Sequence, residues 1–207
     1  MTVKQWRTFQ EFINIVVFNN VDEYFTHFLQ ACEITGNGDM IDLLLSTNEI
    51  DPSDNDNEAI RLASEHGHIA VVDRLLQDDR VDPSADNNYA IRFASENGHI
   101  AVVDSLLQDG TGRVDPNDYD CQAFRLASQN GHIVILEKLF HKFSNKKRLF
   151  IYFSLISASY HGLIYVIDIL LQKLYYDNDE LFRLPILYAK VNHHFNVVKL
   201  LQDSIKS

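Results

Sequence analysis

The sequence predicts an all-α fold, a solenoid of about six helix-turn-helix units with an N-terminal capping helix and short finger loops. The stretch ASEHGHIAVVDRLLQD at 63–78 returns at 94–109 as ASENGHIAVVDSLLQD. A glycine recurs at steps of 30 to 33 residues, with Asn192 in the last slot: Gly36, Gly67, Gly98, Gly131 and Gly162. An apolar pair follows each slot by eight and nine residues. A fixed period of this length is typical of stacked repeats, in which each unit contacts its neighbours.

Each unit contains two short amphipathic helices. The apolar residues of 90–94 lie on one helical stripe, and Gly98 ends that helix. A second stripe at 100–107 predicts the second helix. Neither helix can bury its apolar side alone, so we expect neighbouring pairs to stack.

A turn signal separates the first units: Asp51-Pro52, Asp82-Pro83 and Asp115-Pro116. It predicts a finger loop before each first helix. The predicted units are 21–52, 53–83, 84–116, 117–148, 149–178 and 179–207.

This pattern resembles the ankyrin repeat family. Gly67-His68, Val71-Val72, Leu75-Leu76 and Ala63 match the family's G-H, V-V-x-x-L-L and Ala positions, and the match repeats in the next unit. The resemblance covers roughly 21–207. The family's T-P-L-H tetrapeptide is replaced by EAIR, YAIR and QAFR, and the short acidic loops resemble divergent arrays of large DNA viruses and intracellular bacteria of amoebae.

The two ends predict caps. Residues 5–18 place apolar side chains at helical spacing, which predicts a capping helix within 1–20. In the final pair His194 and Asn196 occupy slots that carry Ile and Val in the inner units, which predicts a more polar terminal face.

Charge and cysteine content narrow the class of protein. The net charge of the chain is −11, and residues 51–120 by themselves carry an excess of acidic over basic side chains of the same size. A nucleic-acid-binding surface is usually basic, so this charge argues against a nucleic-acid partner. Cys32 and Cys121 lie far apart, and the start of the chain does not read as a secretory leader. We expect a reduced, cytoplasmic protein without a disulfide, with a nuclear or host-cytosol location left open. We expect a monomer.

Two segments allow other interpretations. Residues 149–167 lack Asp, Glu, Lys and Arg, as a membrane span would, but they keep the repeat pattern around Gly162, so no membrane contact is expected. Residues 138–148 form a basic cluster, which we interpret as a solvated loop; a nuclear signal or an anion contact is the alternative.

A row of histidines, His68, His99 and His132, raises the question of a metal site. Stacked helices lie about 8–10 Å apart, whereas ligands of one zinc ion lie within roughly 4 Å of each other. We therefore expect no metal, and expect each ring to tie its turn to the adjacent loop. Arg61, Arg92 and Arg125 form a second row, four residues before Glu65, Glu96 and Gln129; we expect them to bridge neighbouring loops, with anion capture as the alternative.

No catalytic motif or cofactor signature stands out, so we expect no enzyme activity and no cofactor. The alternative is an unrecognised active site near Cys121, a candidate reactive thiol, and His132. The resemblance implies that loop tips and first helices bind a protein partner, here one with a basic surface. The predicted partner-binding residues are Asn55, Asp56, Glu65, His66, Asp86, Asn87, Glu96, Asn97, Tyr119, Asp120, Gln129, Asn130, Tyr160 and His161. A second interpretation is a pathogen or viral targeting module that recruits host machinery such as a ubiquitin ligase, in part through residues 1–20.

Overall fold

The computed structural model describes residues 21–46, 50–116, 118–142, 147–172 and 179–205. Within these ranges the chain forms helices and turns and no strand, which confirms the all-α prediction. The predicted capping helix at 1–20 lies outside the described residues. The helices are α1 (Val21–Gln30, continued by a π-helical turn at Ala31–Thr35), α2 (Gly38–Leu45), α3 (Asp54–Glu65), α4 (Ile69–Leu75), α5 (Ala85–Glu96), α6 (Ile100–Gln108), α7 (Asp118–Gln129), α8 (Ile133–Lys142), α9 (Lys147–His161), α10 (Ile164–Gln172), α11 (Arg183–Val191, after a 3-10 turn at Asp179–Phe182) and α12 (Phe195–Ile205).

The helices belong to two compact units. The first comprises 1–94 with 101–115, and the second comprises 95–100 with 116–207. In the first unit α1 packs against α3 and α2 against α4. In the second unit α7 packs against α9, α9 against α11, and α10 against α12. Within each unit, therefore, first helices lie beside first helices and second helices beside second helices.

The repeated apolar positions form the core of each unit. In the first unit Ala63, Val71, Val72 and Leu75 are fully buried. In the second unit the corresponding positions 158, 166, 167 and 170 are buried as well. Each buried Val, Leu or Ile side chain contributes about 1.5–3 kcal/mol relative to its exposed state, so the stability comes mainly from the faces between helices.

The Gly-His pair holds successive helix pairs together. Gly98 has a φ of +79°, and the ring of His132 from the next pair lies against it. The His132 Nε2–H donates to the carbonyl of Glu96 at 2.9 Å. The same bond joins His68 to the Glu33 carbonyl at 2.8 Å and His194 to the Tyr160 carbonyl at 3.0 Å. For His68 and His132 the predicted tie to the neighbouring repeat is confirmed; His194 makes the same bond, which was not predicted.

The last repeat is offset by one residue from the sequence prediction. His193, and not Asn192, has the left-handed backbone, with a φ of 61°. Asn192 instead caps the helix, since its Nδ2 donates to the Tyr188 carbonyl at 2.8 Å. His194 is therefore the histidine that bonds to the preceding repeat, and Val197 and Val198 are the buried pair that follows it. The slots assigned to His194 and Asn196 were therefore wrong by one residue, because Asn and His both tolerate the left-handed region and the residue type alone misplaced the turn.

The apolar segment at 149–167 contains two helices rather than one. Helix α9 ends at His161, Gly162 turns the chain with a φ of +71°, and α10 begins at Ile164. None of the described helices combines the length and the apolarity that a membrane crossing requires.

Replacing Gly98 by Ala should destabilise the protein more than the same change at Gly131. Both glycines have a positive φ, which costs an alanine about 1–2 kcal/mol. At Gly98, however, an added Cβ would lie 2.7 Å from the His132 Cε1 atom, whereas at Gly131 the nearest side-chain atom, Leu163 Cδ2, is 4.0 Å away. We expect Gly98→Ala to lower the free energy of unfolding by about a further 1–3 kcal/mol in denaturant titrations.

The His132→Ala background provides the control for this prediction. Without the ring, the cost of Gly98→Ala should fall to that of Gly131→Ala. Equal losses at the two glycines in the parent protein would contradict the proposed packing.

Candidate functional site

Left-handed turns begin two of the first helices in the first unit. Asn55, Asp56 and Asn57 have φ values of 52°, 60° and 59°, and residues 86–88 repeat this conformation. Asn and Asp are the non-glycine residues that best tolerate this region, so the D-N-D and D-N-N runs are the sequence signal for it. Only finger loops, without left-handed turns, were predicted at these positions.

Each turn separates buried from exposed side chains. Asn57 is buried and its Oδ1 accepts from the Asp82 backbone N–H at 2.7 Å; Asn88 does the same for Asp115 at 2.9 Å. The predicted partner-binding residues of these turns, Asn55, Asp56, Asp86 and Asn87, are exposed. The third residue of each turn therefore fixes the next Asp-Pro corner, and the first two face solvent.

The arginine row stabilises these turns. Arg61 donates through Nε to the Asp56 carbonyl and through Nη2 to the Asn55 carbonyl, both at 3.1 Å. Its Nη1 reaches Asp86 Oδ2 in the following turn at 3.4 Å, so the predicted bridge between neighbouring loops is confirmed for this arginine. The same contact partly neutralises the Asp86 carboxylate.

Tyr89 lies at the centre of this surface, and the sequence analysis did not select it. Its hydroxyl donates to Glu65 Oε2 at 2.7 Å, and its ring stacks on Phe93 with 4.0 Å between the ring centres. The guanidinium carbons of Arg61 and Arg92 lie 5.2 and 5.7 Å from the ring centre. Burial, followed by the hydrogen bond to Glu65, raises the pKa of Tyr89 to about 12.

Other predicted partner residues also cap helices. His66 Nδ1–H donates to the Leu62 carbonyl and Asn130 Nδ2 to the Leu126 carbonyl, each at 3.0 Å, which satisfies helix ends. Asn97 is exposed at the equivalent position, and Glu96 is half-buried with its carbonyl bonded to His132. The side chains of Tyr119 and Asp120 lie outside the described part of the chain.

The second unit contains an open groove of about 500 Å³ on its first helices α7, α9 and α11. Three predicted residues line it, Gln129, Tyr160 and His161. Gln129 Nε2–H donates to His161 Nε2 at 3.1 Å, and the Tyr160 and His161 rings meet edge to face at 4.9 Å. The groove also contains Arg125, for whose row anion capture was the alternative, and the half-exposed aromatics Phe153 and Tyr188, which were not predicted.

The described residues contain no set of side chains arranged as metal ligands. Within these ranges no three His, Cys, Asp or Glu side chains lie close enough to hold one ion. Cys32 and Cys121 form no disulfide with each other, and both are buried. Burial raises the pKa of the Cys32 thiol, and the burial of Cys121 separates it from reagents, which argues against the alternative of a reactive thiol there.

Comparison of the chain with protein-family models and with curated proteins gives no match. Its function therefore has to be inferred from the geometry of these two surfaces.

Alkaline titration should show a late ionisation step from Tyr89, and Tyr89→Phe should remove that step. The ordinary tyrosine pKa is about 10, and that of Tyr89 is about 12. Because the folded state favours the neutral phenol, this contribution to stability is complete below pH 10 and is lost as the pH rises through about 12. The measurement is phenolate absorbance against pH. Glu65→Gln should shift the late step towards the ordinary tyrosine pKa. If Tyr89→Phe instead lowers the amplitude of the step near pH 10, the assignment of the late step to Tyr89 is wrong.

Replacing Arg61 by Gln should lower the free energy of unfolding by about 1–2 kcal/mol, because two turn carbonyls lose a charged donor. The matched control is Arg74→Gln, which removes an exposed ion pair with Asp42 and an exposed hydrogen bond to Gln77 on the second helices and should cost less than about 1 kcal/mol. Both are measured by denaturant unfolding. A larger loss at Arg74 would show that Arg61 does not hold the turns.

Proposed function

We propose that the chain is a non-catalytic protein-binding module of the ankyrin type. In this proposal a partner with a basic surface docks on the finger turns and first helices. The family resemblance of the repeats and the side-by-side packing of helix pairs within each unit support an array of this kind. The binding surface is argued from the turns themselves.

The observation that carries the proposal is that some side chains of the left-handed turns hold the backbone while their neighbours face solvent. Arg61, Asn57 and Asn88 hold the backbone of the turns, while the neighbouring Asn and Asp side chains remain exposed. A loop held by its own interior loses little conformational entropy when a partner binds. Exposed polar groups on a rigid frame are typical of recognition loops.

The charge of the turns favours a basic partner. Asp54 and Asp56 are exposed at the first turn, and Glu58 lies beside them, with its Oε2 bonded to Asn55 Nδ2 at 3.0 Å. At the second turn the Asp86 carboxylate is paired with the Arg61 guanidinium, which offsets part of its charge. The first turn is therefore the more negative of the two. Such a patch accelerates association with cationic surfaces and excludes anionic ones.

Two substitutions that keep the size of the side chain and change its charge in opposite directions test this mechanism. Asp56 and Asn87 occupy the same exposed, left-handed position in successive turns. Asp56→Asn should weaken the binding of lysine-rich capped peptide pools about two- to five-fold, and Asn87→Asp should strengthen it by a similar factor. Both substitutions keep a residue that tolerates the left-handed backbone, so the fold is preserved.

Binding is measured by fluorescence polarisation at low and high ionic strength, with glutamine-for-lysine pools as the comparison. Glu137→Gln, an exposed change on helix α8 among the second helices, should leave the affinity unchanged. If the lysine and glutamine pools bind equally, or if salt has no effect, the proposed function is wrong.

A further inference from the structure

Arg125 differs from the arginines that precede it in the row. Arg61 and Arg92 both donate to turn carbonyls, and Arg61 also reaches Asp86. For Arg125, by contrast, the structure shows no hydrogen bond or ion pair to any described residue; its Nε atom is buried without a partner, as is that of Arg92, but the Arg92 Nη2 is bonded. A partly buried guanidinium without any acceptor is costly, so the lack of a described partner for the whole Arg125 side chain needs an explanation.

The sequence of the next repeat explains why the acceptor is missing. Asp86 and Asn87 lie twelve and eleven residues before Gly98; the same offsets before Gly162 are occupied by Phe150 and Ile151. Helix α9 begins at Lys147 and so runs through the positions where the earlier repeat forms its left-handed turn. The repeat that follows Arg125 therefore carries no carboxylate at the position that pairs with Arg61.

The space beside Arg125 is the groove of the second unit. Of the described side chains that line it, Arg125 alone carries a full charge, in a protein whose net charge is −11. Phe153 and Tyr188 are 41 % and 39 % exposed and offer apolar ring surface, and the Tyr160 and Tyr188 ring centres are 6.2 Å apart. The groove thus combines one cation with a partly exposed aromatic wall.

We propose that this groove binds an acidic peptide segment, with an Asp or Glu carboxylate on the Arg125 guanidinium and an adjacent apolar side chain against Phe153 and Tyr188. The planar guanidinium matches a carboxylate in geometry, and its terminal nitrogens gain an acceptor that the described residues do not supply. This is a second docking site, opposite in charge to the finger turns, and it does not depend on the function proposed for them.

The charge and the shape of the groove define the occupant. One guanidinium balances a monoanionic carboxylate, whereas a phosphate carries close to two negative charges and would need a further cation. The groove is open, and Leu184 and Leu187 on α11 add exposed apolar surface in the same unit. An extended segment with several side chains suits such a surface better than an enclosed small molecule.

The test uses the full chain and two pools of short capped peptides. Each pool has apolar residues at degenerate positions around a central Glu in one case and a central Gln in the other. We expect the protein to bind the Glu pool about ten-fold or more tightly than the Gln pool, which is the effect of one charged hydrogen-bonding pair. Arg125→Gln should remove this preference, and Tyr188→Ala should weaken both pools equally.

Three controls make the outcomes decisive. Lys199→Gln removes an exposed charge from α12 outside the groove and should change neither affinity. Arg125→Gln should leave the unfolding midpoint unchanged, unlike Arg61→Gln, so that a loss of binding is not a loss of folding. Asp56→Asn should affect the lysine-rich pools and not the Glu pool, which separates this site from the finger turns.

Several results would overturn the proposal. They are the absence of binding to either pool, equal binding of both pools, or a preference for Glu that survives Arg125→Gln. A pool with central phosphoserine that binds more tightly than the Glu pool would also overturn it, because the site would then select a dianion.

Discussion

The contact on which the rest of this structure depends is the packing of a histidine ring on the glycine of the preceding repeat. An ideal Cβ on Gly36 or Gly162 would lie 2.6 Å from a ring nitrogen of the next repeat, so only glycine leaves room for it. The ring nitrogen then satisfies a carbonyl at the end of a first helix. One contact thus supplies a turn, a helix cap and a register between neighbours, which explains why the two residues recur together.

With the register set, the same arginine position produces two different surfaces. In the first unit, the left-handed turns give Arg61 its acceptors, and the arginine becomes part of the frame. In the second unit, the following first helix is regular and begins at Lys147, and Arg125 remains without an acceptor among the described residues. The change lies in the neighbouring repeat, not in the arginine or its own helix. A repeat array can create a binding site in this way when one repeat lacks the residue that pairs with a side chain of its neighbour.

The substitution of Cys121 for Asn belongs to the same change. Asn57 and Asn88 hold the next Asp-Pro corner through a side-chain oxygen, and Cys121 occupies the third equivalent position with a φ of 54°. The repeat after Cys121 has no Asp-Pro pair, so the corner that an Asn would hold is missing from the sequence. The thiol is buried at this site. Cys121, a candidate reactive thiol in the sequence, therefore occupies a position that no longer needs the amide side chain of an Asn.

The sequence by itself determined the helix pairs, their glycine turns and the buried positions such as Ala63 and Leu75, because burial of an apolar stripe repeats with the chain. It also placed Gln129, Tyr160 and His161 on the exposed side of the first helices. Only the tertiary structure decided that Glu65 accepts from Tyr89, that His193 replaces Asn192 at the last turn, and that Arg125 faces a groove. These features depend on partners roughly one repeat away or on backbone conformations shared by several residue types, and a local pattern contains no information about either.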